Sequence, residues 1–247
     1  MTNAVDEMRA KTLFDVIKEP CGMDTILSTE NLCRDFKIGD GSVVNALKNI
    51  NIEIEKGKLT ILRGRSGSGK TTLINILGAL DKPTKGKVMF GGRDITRLSE
   101  RARDDIRRYK MAFVFQSVAL MSGMTAYENV DFGLRLAKYP YEERYKRTRE
   151  CLRSVGLEKR MFHRPGEMSG GEQQRVAIAR AIAHKPDIIF ADEPTAELDT
   201  ATALHVVKLF KELVARDEMT IIMTTHDPSM IDIADKVYTL EDGEIVE

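Results

Sequence analysis

One stretch decides how this 247-residue chain is expected to fold: Gly64-Arg65-Ser66-Gly67-Ser68-Gly69-Lys70-Thr71. It fits the pattern G-x-x-x-x-G-K-[ST], with an apolar strand-like run before it and helix-periodic residues after it. Its glycines let successive backbone N–H groups turn toward one phosphate, and the following helix points the positive end of its dipole there. We therefore predict a P-loop that binds a nucleotide through residues 64–71 and Thr72, rather than an ordinary turn before a helix.

The last two residues of this stretch have distinct predicted roles. Lys70 is expected to reach the β- and γ-phosphates, and the Thr71 hydroxyl is expected to ligate Mg²⁺.

The composition is typical of a soluble globular protein. Hydrophobic residues make up 42% of the chain and charged residues 31%, and the length suits one large domain or two small ones. Lys and Arg together number 38, as do Asp and Glu, so the formal net charge is zero. No overall field favours nucleic acid or an anionic membrane, although a local charged surface could still bind a partner. We expect no nucleic-acid partner.

Cysteine usage and apolar runs indicate the cellular setting. Cys21, Cys33 and Cys151 are scattered, without C-x-x-C or metal-like spacing, which predicts free thiols in a reducing compartment. The sequence shows no signal peptide, and no stretch approaches the roughly 20 apolar residues that span a bilayer. If the protein acts at a membrane, we expect another chain to supply the membrane-spanning part.

Residues 1–24 are interpreted as an N-terminal extension before a domain at 25–247. Their apolar side chains fall mainly on one helical face, and Pro20 and Gly22 end that pattern. The sequence leaves open whether this extension docks on the domain or a partner, or is a frayed tail.

The segments 26–32 and 43–55 are predicted to form an antiparallel β layer, since Ile50, Ile52 and Ile54 alternate with polar residues. Phe36 ends the first strand, and Val44 follows the turn. An aromatic ring in that position could stack on adenine, although a single Phe is more often a core residue.

Beyond the P-loop, predicted strands alternate with helices, which favours a largely parallel sheet covered on both faces. Residues 117–165 are interpreted as a helical insertion, and with the next helix they make a helical subdomain at about 117–183. The predicted fold class is therefore α/β: a P-loop NTPase core with a mostly parallel sheet, an N-terminal antiparallel β layer and a helical insertion.

Polar residues follow three buried strands of this core. Gln116, the pair Asp192-Glu193 and His226 each come directly after an apolar run. Because parallel strands place their carboxyl ends at one edge, we expect these side chains to lie near the P-loop.

Each of these residues is assigned a role in phosphoryl transfer. Asp192 would hold Mg²⁺ together with Thr71, directly or through water, and Glu193 would orient and deprotonate the attacking water. Gln116 would touch both the metal and the water, and His226 would bond the γ-phosphate or hold the base. The alternatives are an acidic helix cap for the carboxylates and a surface position for the histidine.

Ser169-Gly170-Gly171 opens another predicted helix, with Ser169 as N-cap and Glu172 as its capping-box partner. Backbone N–H groups at such a terminus form a second anion site. That site is redundant within one subunit but useful to a second copy of the chain. A well-capped helix without a ligand remains the alternative.

Together these stretches resemble the motif set of the ABC-type ATPases. The matching segments, in order, are the P-loop at 64–71, Gln116, the signature at 168–175, the acidic strand end at 188–193, Glu197-Leu198-Asp199 and His226. The resemblance covers about residues 25–247. Among members of the family, the stretches at 80–86, 125–130 and 164–167 are similar to the macrolide-exporter and lipoprotein-release ATPases.

The resemblance implies a head-to-tail dimer, with ATP and Mg²⁺ held between the P-loop of one subunit and the signature of the other. Ser169, Gly170, Gly171 and Gln173 would then act in trans, and Asp199 would communicate between the two sites. It also places Phe36 at the adenine-stacking position. The implied partners are a second copy and an integral-membrane permease, at the cytoplasmic face of a bacterial inner membrane.

Two other functions fit a P-loop chain of this kind. A soluble ABC ATPase would act on DNA or ribosomes without a permease. Its DNA-repair form carries a long coiled coil, and its translation form has two ATPase domains, neither of which the sequence indicates. A P-loop kinase would need an acceptor site and would have no use for the second anion site.

Overall fold

The computed structural model describes residues 24–39 and 41–246, so the predicted extension falls almost entirely outside the described residues. The strands are β1 (Thr25–Lys37), β2 (Val43–Ile50), β3 (Glu53–Glu55), β4 (Leu59–Arg63), β5 (Lys85–Phe90), β6 (Arg93–Asp94), β7 (Met111–Val114), β8 (Ile188–Ala191), β9 (Thr220–Thr225), β10 (Lys236–Glu241) and β11 (Glu244–Ile245). The helices are α1 (Lys70–Leu77), α2 (Glu100–Tyr109), α3 (Ala126–Leu136), α4 (Tyr141–Ser154), α5 (Gly170–Ile182) and α6 (Thr200–Asp217). Short 3₁₀ turns occur at Glu158–Arg160, Pro165–Glu167 and Pro228–Ile233.

A six-stranded sheet forms the centre of the molecule, in the order β11-β10-β4-β9-β8-β7. All its pairs are parallel except β10 with β11. Every residue of β8 and β9 is buried, as expected when helices cover both faces of a parallel sheet. The predicted α/β class with a mostly parallel sheet is confirmed.

The predicted antiparallel layer is a second sheet, in which β1 pairs with β2, β3 and β5, and β5 continues to β6. All of its pairs are antiparallel. The hairpin between β5 and β6 turns at Gly91-Gly92, where both residues have positive φ. We did not predict the two-residue strand β6 that follows this turn.

The prediction of a single strand over residues 43–55 is wrong, because the backbone hydrogen bonding of the β ladder is interrupted between β2 and β3. Asn49 lies in the left-handed region with φ 52°. The Thr29 hydroxyl then accepts from Ile52 N at 3.1 Å and donates to Ile50 O at 2.9 Å. At the break, the Thr29 side chain thus makes hydrogen bonds in place of the backbone bonds of the β ladder. The predicted inward alternation of Ile50, Ile52 and Ile54 is confirmed, since all three are buried.

The strand predicted to reach Phe115 ends one residue earlier. Val114 O accepts from Asp192 N at 2.9 Å, and there the neighbouring strand β8 leaves the sheet. Phe115 is exposed and stacks on Phe113 with ring centroids 5.7 Å apart. The carboxyl edge of the sheet therefore begins at Val114, which places Gln116 in a loop above it.

Helices α3, α4 and α5 pack together beside the sheet. Val130, Leu152 and Val176, one from each helix, are fully buried in the same core cluster. Thr125 caps α3 through a capping box with Glu128, as Ser169 does for α5 with Glu172. The capping box predicted at Ser169 is confirmed, and it fixes where α5 begins.

Candidate nucleotide site

The P-loop connects the end of β4 to the start of α1. Gly67 and Gly69 have φ of 81° and 107°, which residues with a side chain rarely adopt. At Gly69 a Cβ would also lie 2.6 Å from Ala46 O, so glycine is required there for close approach as well as conformation. The loop backbone thus curls around the amino end of α1, the geometry of an anion site.

Lys70 is the first residue of α1, and its side chain is buried beneath the loop. Its Nζ donates to Gly64 O at 2.9 Å and to Arg65 O at 3.1 Å. The same nitrogen lies 3.5 Å from Glu193 Oε1. The carbonyls of the loop therefore hold the Lys70 ammonium in a fixed position. From there it would help the loop to bind phosphate.

Glu193 stands between two cationic or basic groups. Its second oxygen, Oε2, lies 3.4 Å from His226 Nδ1. The Glu193 carboxylate therefore lies between the Lys70 ammonium and the His226 ring. Its backbone has φ 43°, in the left-handed region that costs a residue with a side chain roughly 1–2 kcal/mol. Such a conformation is typical of a functional site held by its surroundings.

Thr224, near the end of β9, holds the acidic strand end in place. Its buried hydroxyl donates to Asp192 Oδ1 at 2.7 Å and accepts from Glu193 N at 2.8 Å. We did not predict this residue from the sequence. A threonine hydroxyl near the carboxyl end of a buried strand was the available signal, because a buried hydroxyl needs a partner.

A cavity of about 740 Å³ opens over the P-loop. Its lining includes nine residues with predicted site roles: Val44, Ser66, Gly67, Gly69, Lys70, Thr71, Thr72, Gln116 and Glu193. It also includes five that we did not predict: Asn45, Ala46, Lys48, Asp242 and Gly243. The structure thus brings the P-loop, the β layer and the carboxyl edge of the sheet to one space.

The turn between β10 and β11 supports the P-loop from one side. Gly243 N donates to Ser68 O at 3.1 Å, and Gly243 O accepts from Lys48 N at 2.7 Å. We did not predict this contact from the sequence, because the position of the turn depends on how the two sheets meet.

Other predicted residues lie around the cavity rather than in its lining. Gly64 and Arg65 act through the carbonyls that hold Lys70. Phe36 lies opposite Val44 in the β1–β2 ladder, and directly opposed residues of an antiparallel pair share a face. Its ring is 38% exposed, on the face from which Val44 reaches the cavity, so it is not the core residue that its type alone suggested.

The donor set near Lys70 suits a hard divalent cation. The Thr71 hydroxyl and the Gln116 amide line the cavity, and Asp192 keeps one carboxylate oxygen beyond the bond from Thr224. Mg²⁺ prefers such oxygen ligands with several waters. Among the described residues, no group of three or more His, Cys, Asp or Glu is arranged to hold a metal ion.

The signature residues lie outside this cavity. Ser169 Oγ accepts from Glu172 N at 3.3 Å, and Glu172 Oε2 accepts from Ser169 N at 2.9 Å. That backbone bond lowers the pKa of Glu172. Gln173 donates its amide to Pro165 O and Met168 O, at 3.0 and 3.1 Å. Ser169 and Gly170 are exposed at the start of α5, with their own chain's P-loop elsewhere.

Gly171 needs its lack of a side chain for packing. A Cβ there would overlap Cγ2 of Thr202 on α6. The Thr202 hydroxyl in turn donates to Asp199 Oδ2 at 2.6 Å, and these bonds lower the pKa of Asp199. Asp199 is thus the N-cap of α6, and Thr202 lies between it and Gly171 on α5, the helix that carries the signature.

Among the residues that the structure describes, no helix has the length and apolar character needed to cross a lipid bilayer.

Comparison with known proteins identifies the family. Residues 47–196 match the family model described as ABC transporter. The chain is 41% identical over 223 residues to an uncharacterized ABC transporter ATP-binding protein of Thermotoga maritima, covering 90% of this chain and 94% of that protein. It is 40% identical to the macrolide export ATP-binding/permease protein MacB of Vibrio parahaemolyticus, but it spans only 34% of MacB's length.

A solved structure shows the same architecture. The dimeric ATP-binding cassette MJ0796 of Methanocaldococcus jannaschii, in a post-hydrolysis state with ADP and Pi, matches with a TM-score of 0.83. The two are 40% identical, over 90% of this chain and 97% of that one. Fold, sequence and P-loop geometry agree: the chain belongs to the ABC transporter family, as one of its ATPase cassettes.

Proposed function

We propose that this chain binds ATP with Mg²⁺ and hydrolyses it as the motor subunit of a membrane transporter complex. One observation carries the proposal: Glu193 lies at the P-loop cavity, 3.5 Å from Lys70 Nζ and 3.4 Å from His226 Nδ1. A carboxylate in that position can orient a water toward the γ-phosphorus and take its proton. The relative solved with ADP and Pi supports the same reaction.

The roles of the chain's own residues follow from their positions. Lys70 and the backbone of 64–72 hold the phosphates, while Phe36 and Val44 hold the base. Thr71, Gln116 and Asp192 would hold Mg²⁺, which supplies charge neutralisation on the phosphates. Glu193 receives the proton from the water, and His226 keeps its carboxylate directed at the reaction.

The site is proposed to be completed by a second copy of the chain. Ser169 and Gly170 present the amino end of α5 at an exposed surface, outside the lining of the cavity over the P-loop of their own chain. An anion site there serves the γ-phosphate held by another subunit. Gly171 and Gln173 shape that terminus, and Asp199 connects it to α6. The dimeric relative supports this arrangement.

The proposed partner across the membrane is a permease, with the cassette at the cytoplasmic face of a bacterial inner membrane. The support is the MacB relative, which is named for an ATP-binding part and a permease in one protein. Within the complex, the helical subdomain at about 117–183 would transmit the motion of the cassettes. The proposed output of this arrangement is export, lipoprotein release or mechanotransmission.

Affinity purification from solubilised membranes tests the partner. We expect a polytopic membrane protein to co-purify with the tagged chain and to change its rate of phosphate release. Co-purification of ribosomes or nucleic acid alone would contradict the proposal. Phosphate release measured with Mg²⁺ and with excess chelator tests the metal, since activity that survives the chelator would remove Mg²⁺ from the account.

A further inference from the structure

Arg34 lies against one face of the Phe36 ring. Its guanidinium carbon is 4.4 Å from the ring centroid, within the range where a cation is attracted to the face of an aromatic ring. Phe36 as a whole is 38% exposed, so part of its side chain stays open to solvent although Arg34 covers one face of the ring. Arg34 does not line the cavity over the P-loop, whereas Val44, directly opposite Phe36, does.

Asp81 fixes Arg34 from the other side. Arg34 Nη2 lies 2.9 Å from Asp81 Oδ2 and 3.1 Å from its Oδ1, and the two side chains are only 23% and 34% exposed. One guanidinium nitrogen thus contacts both carboxylate oxygens, and an ion pair largely withdrawn from solvent is screened less than an exposed one.

Asp81 belongs to the turn that ends the P-loop helix. Its backbone N donates to Asn75 O at 3.0 Å, and its Oδ1 accepts from Lys82 N at 2.7 Å. The carboxylate is therefore rigidly attached to α1, whose first turn carries Lys70 and Thr71. The series Phe36, Arg34 and Asp81 links the β layer to the element that holds the phosphates.

We propose that Arg34 is a positioning residue for nucleotide binding, which orients Phe36 for the adenine and sets its distance from the P-loop through Asp81. The inference rests on the proposed stacking of Phe36 on the base. Arg34 touches neither base nor phosphate. Its effect should therefore appear in the affinity for a nucleotide with its base and not in the affinity for a phosphate chain alone.

The test compares ATP with inorganic tripolyphosphate, which lacks base and ribose. For R34A we expect the KM for ATP to rise about two- to fivefold, the size of one such cation–aromatic contact, with a much smaller change in kcat. The dissociation constant for tripolyphosphate should stay within the error of wild type. R34K should recover part of the loss, and D81N should resemble R34A.

K87A is the matched control. Lys87 pairs with Glu30 at 3.2 Å on the same sheet and is not part of the Phe36 contact, so its loss should leave the KM unchanged. An unchanged or lower KM in R34A, or an equal loss for tripolyphosphate, would overturn the role of Arg34.

F36A separates this inference from the stacking proposal. If F36A leaves the KM for ATP unchanged, stacking by Phe36 itself is wrong. If F36A raises the KM and R34A does not, only the role of Arg34 is wrong.

Discussion

Replacing Thr224 with valine isolates the contact that holds Asp192 and Glu193, the two carboxylates of the proposed active site. The substitution keeps the shape of the side chain but removes the hydroxyl that donates to Asp192 Oδ1 at 2.7 Å and accepts from Glu193 N at 2.8 Å. Thr224 is fully buried, so water cannot easily replace it. Glu193 would also lose the bond that stabilises its backbone at φ 43°.

The expected loss of stability follows from these two bonds. A buried group left without its partner costs about 1–3 kcal/mol, and the cost for partly exposed Asp192 and Glu193 falls near the lower end. The added methyl group offsets about 0.8 kcal/mol. We expect a net decrease of about 1–2 kcal/mol in the free energy of unfolding. Because Glu193 is misplaced, kcat should fall about 10- to 100-fold with little change in KM.

Thr60 provides the control for this experiment. It is fully buried in the neighbouring strand β4, and its hydroxyl has no hydrogen-bond partner among the described residues. T60V therefore makes the same chemical change without breaking a bond, and it should leave stability equal or higher and kcat unchanged. Urea unfolding and phosphate release measure both variants. The same unfolding midpoint and the same kcat in T224V and T60V would contradict the role given to the Thr224 hydroxyl.

Three further variants test separate parts of the account. E193Q should abolish ATP turnover, retain ATP binding and accumulate an ATP-bound dimer in sedimentation; near-wild-type hydrolysis would remove Glu193 as the base. G171A should lower the free energy of unfolding by about 1–3 kcal/mol through overlap with Thr202, and adding T202S should restore most of it; an additive double variant would contradict this contact. Burial raises the pKa of Cys151 from 9.0 to about 11, so the thiol stabilises the fold below pH 9 and that contribution is lost as pH rises through 11. The stability difference between wild type and C151A should therefore shrink over this range in urea titrations, and a constant difference would refute it.

Local chemistry explains what the sequence could predict. The P-loop, the capping box at Ser169 and the polar residues after buried strands are each set by neighbours within a few positions. Parallel strands must align their ends, so the proximity of Glu193 and His226 could be expected without knowing the strand order.

What could not be predicted depends on which strands and loops are neighbours in space. Thr224 supports Asp192 because β9 lies beside β8, and Arg34 meets Asp81 across 47 positions of the chain. The break after Ile50 was hidden for a similar reason, because the Thr29 hydroxyl that closes it lies 21 positions away. Alternating isoleucines report which side chains face inward, but not whether the backbone ladder is continuous.

Mixing two inactive variants tests the composite site most directly. K70M removes the phosphate-binding charge of the P-loop. S169D keeps an effective helix cap but places a negative charge where a phosphate would bind. If each site combines Lys70 of one copy with Ser169 of the other, half of the dimers in an equal mixture contain one intact site, and the rate per subunit should recover to about a quarter of wild type. Two results together would contradict the shared site. The equal mixture would stay as inactive as either variant alone, and wild type would keep its full rate in an excess of the double variant K70M/S169D.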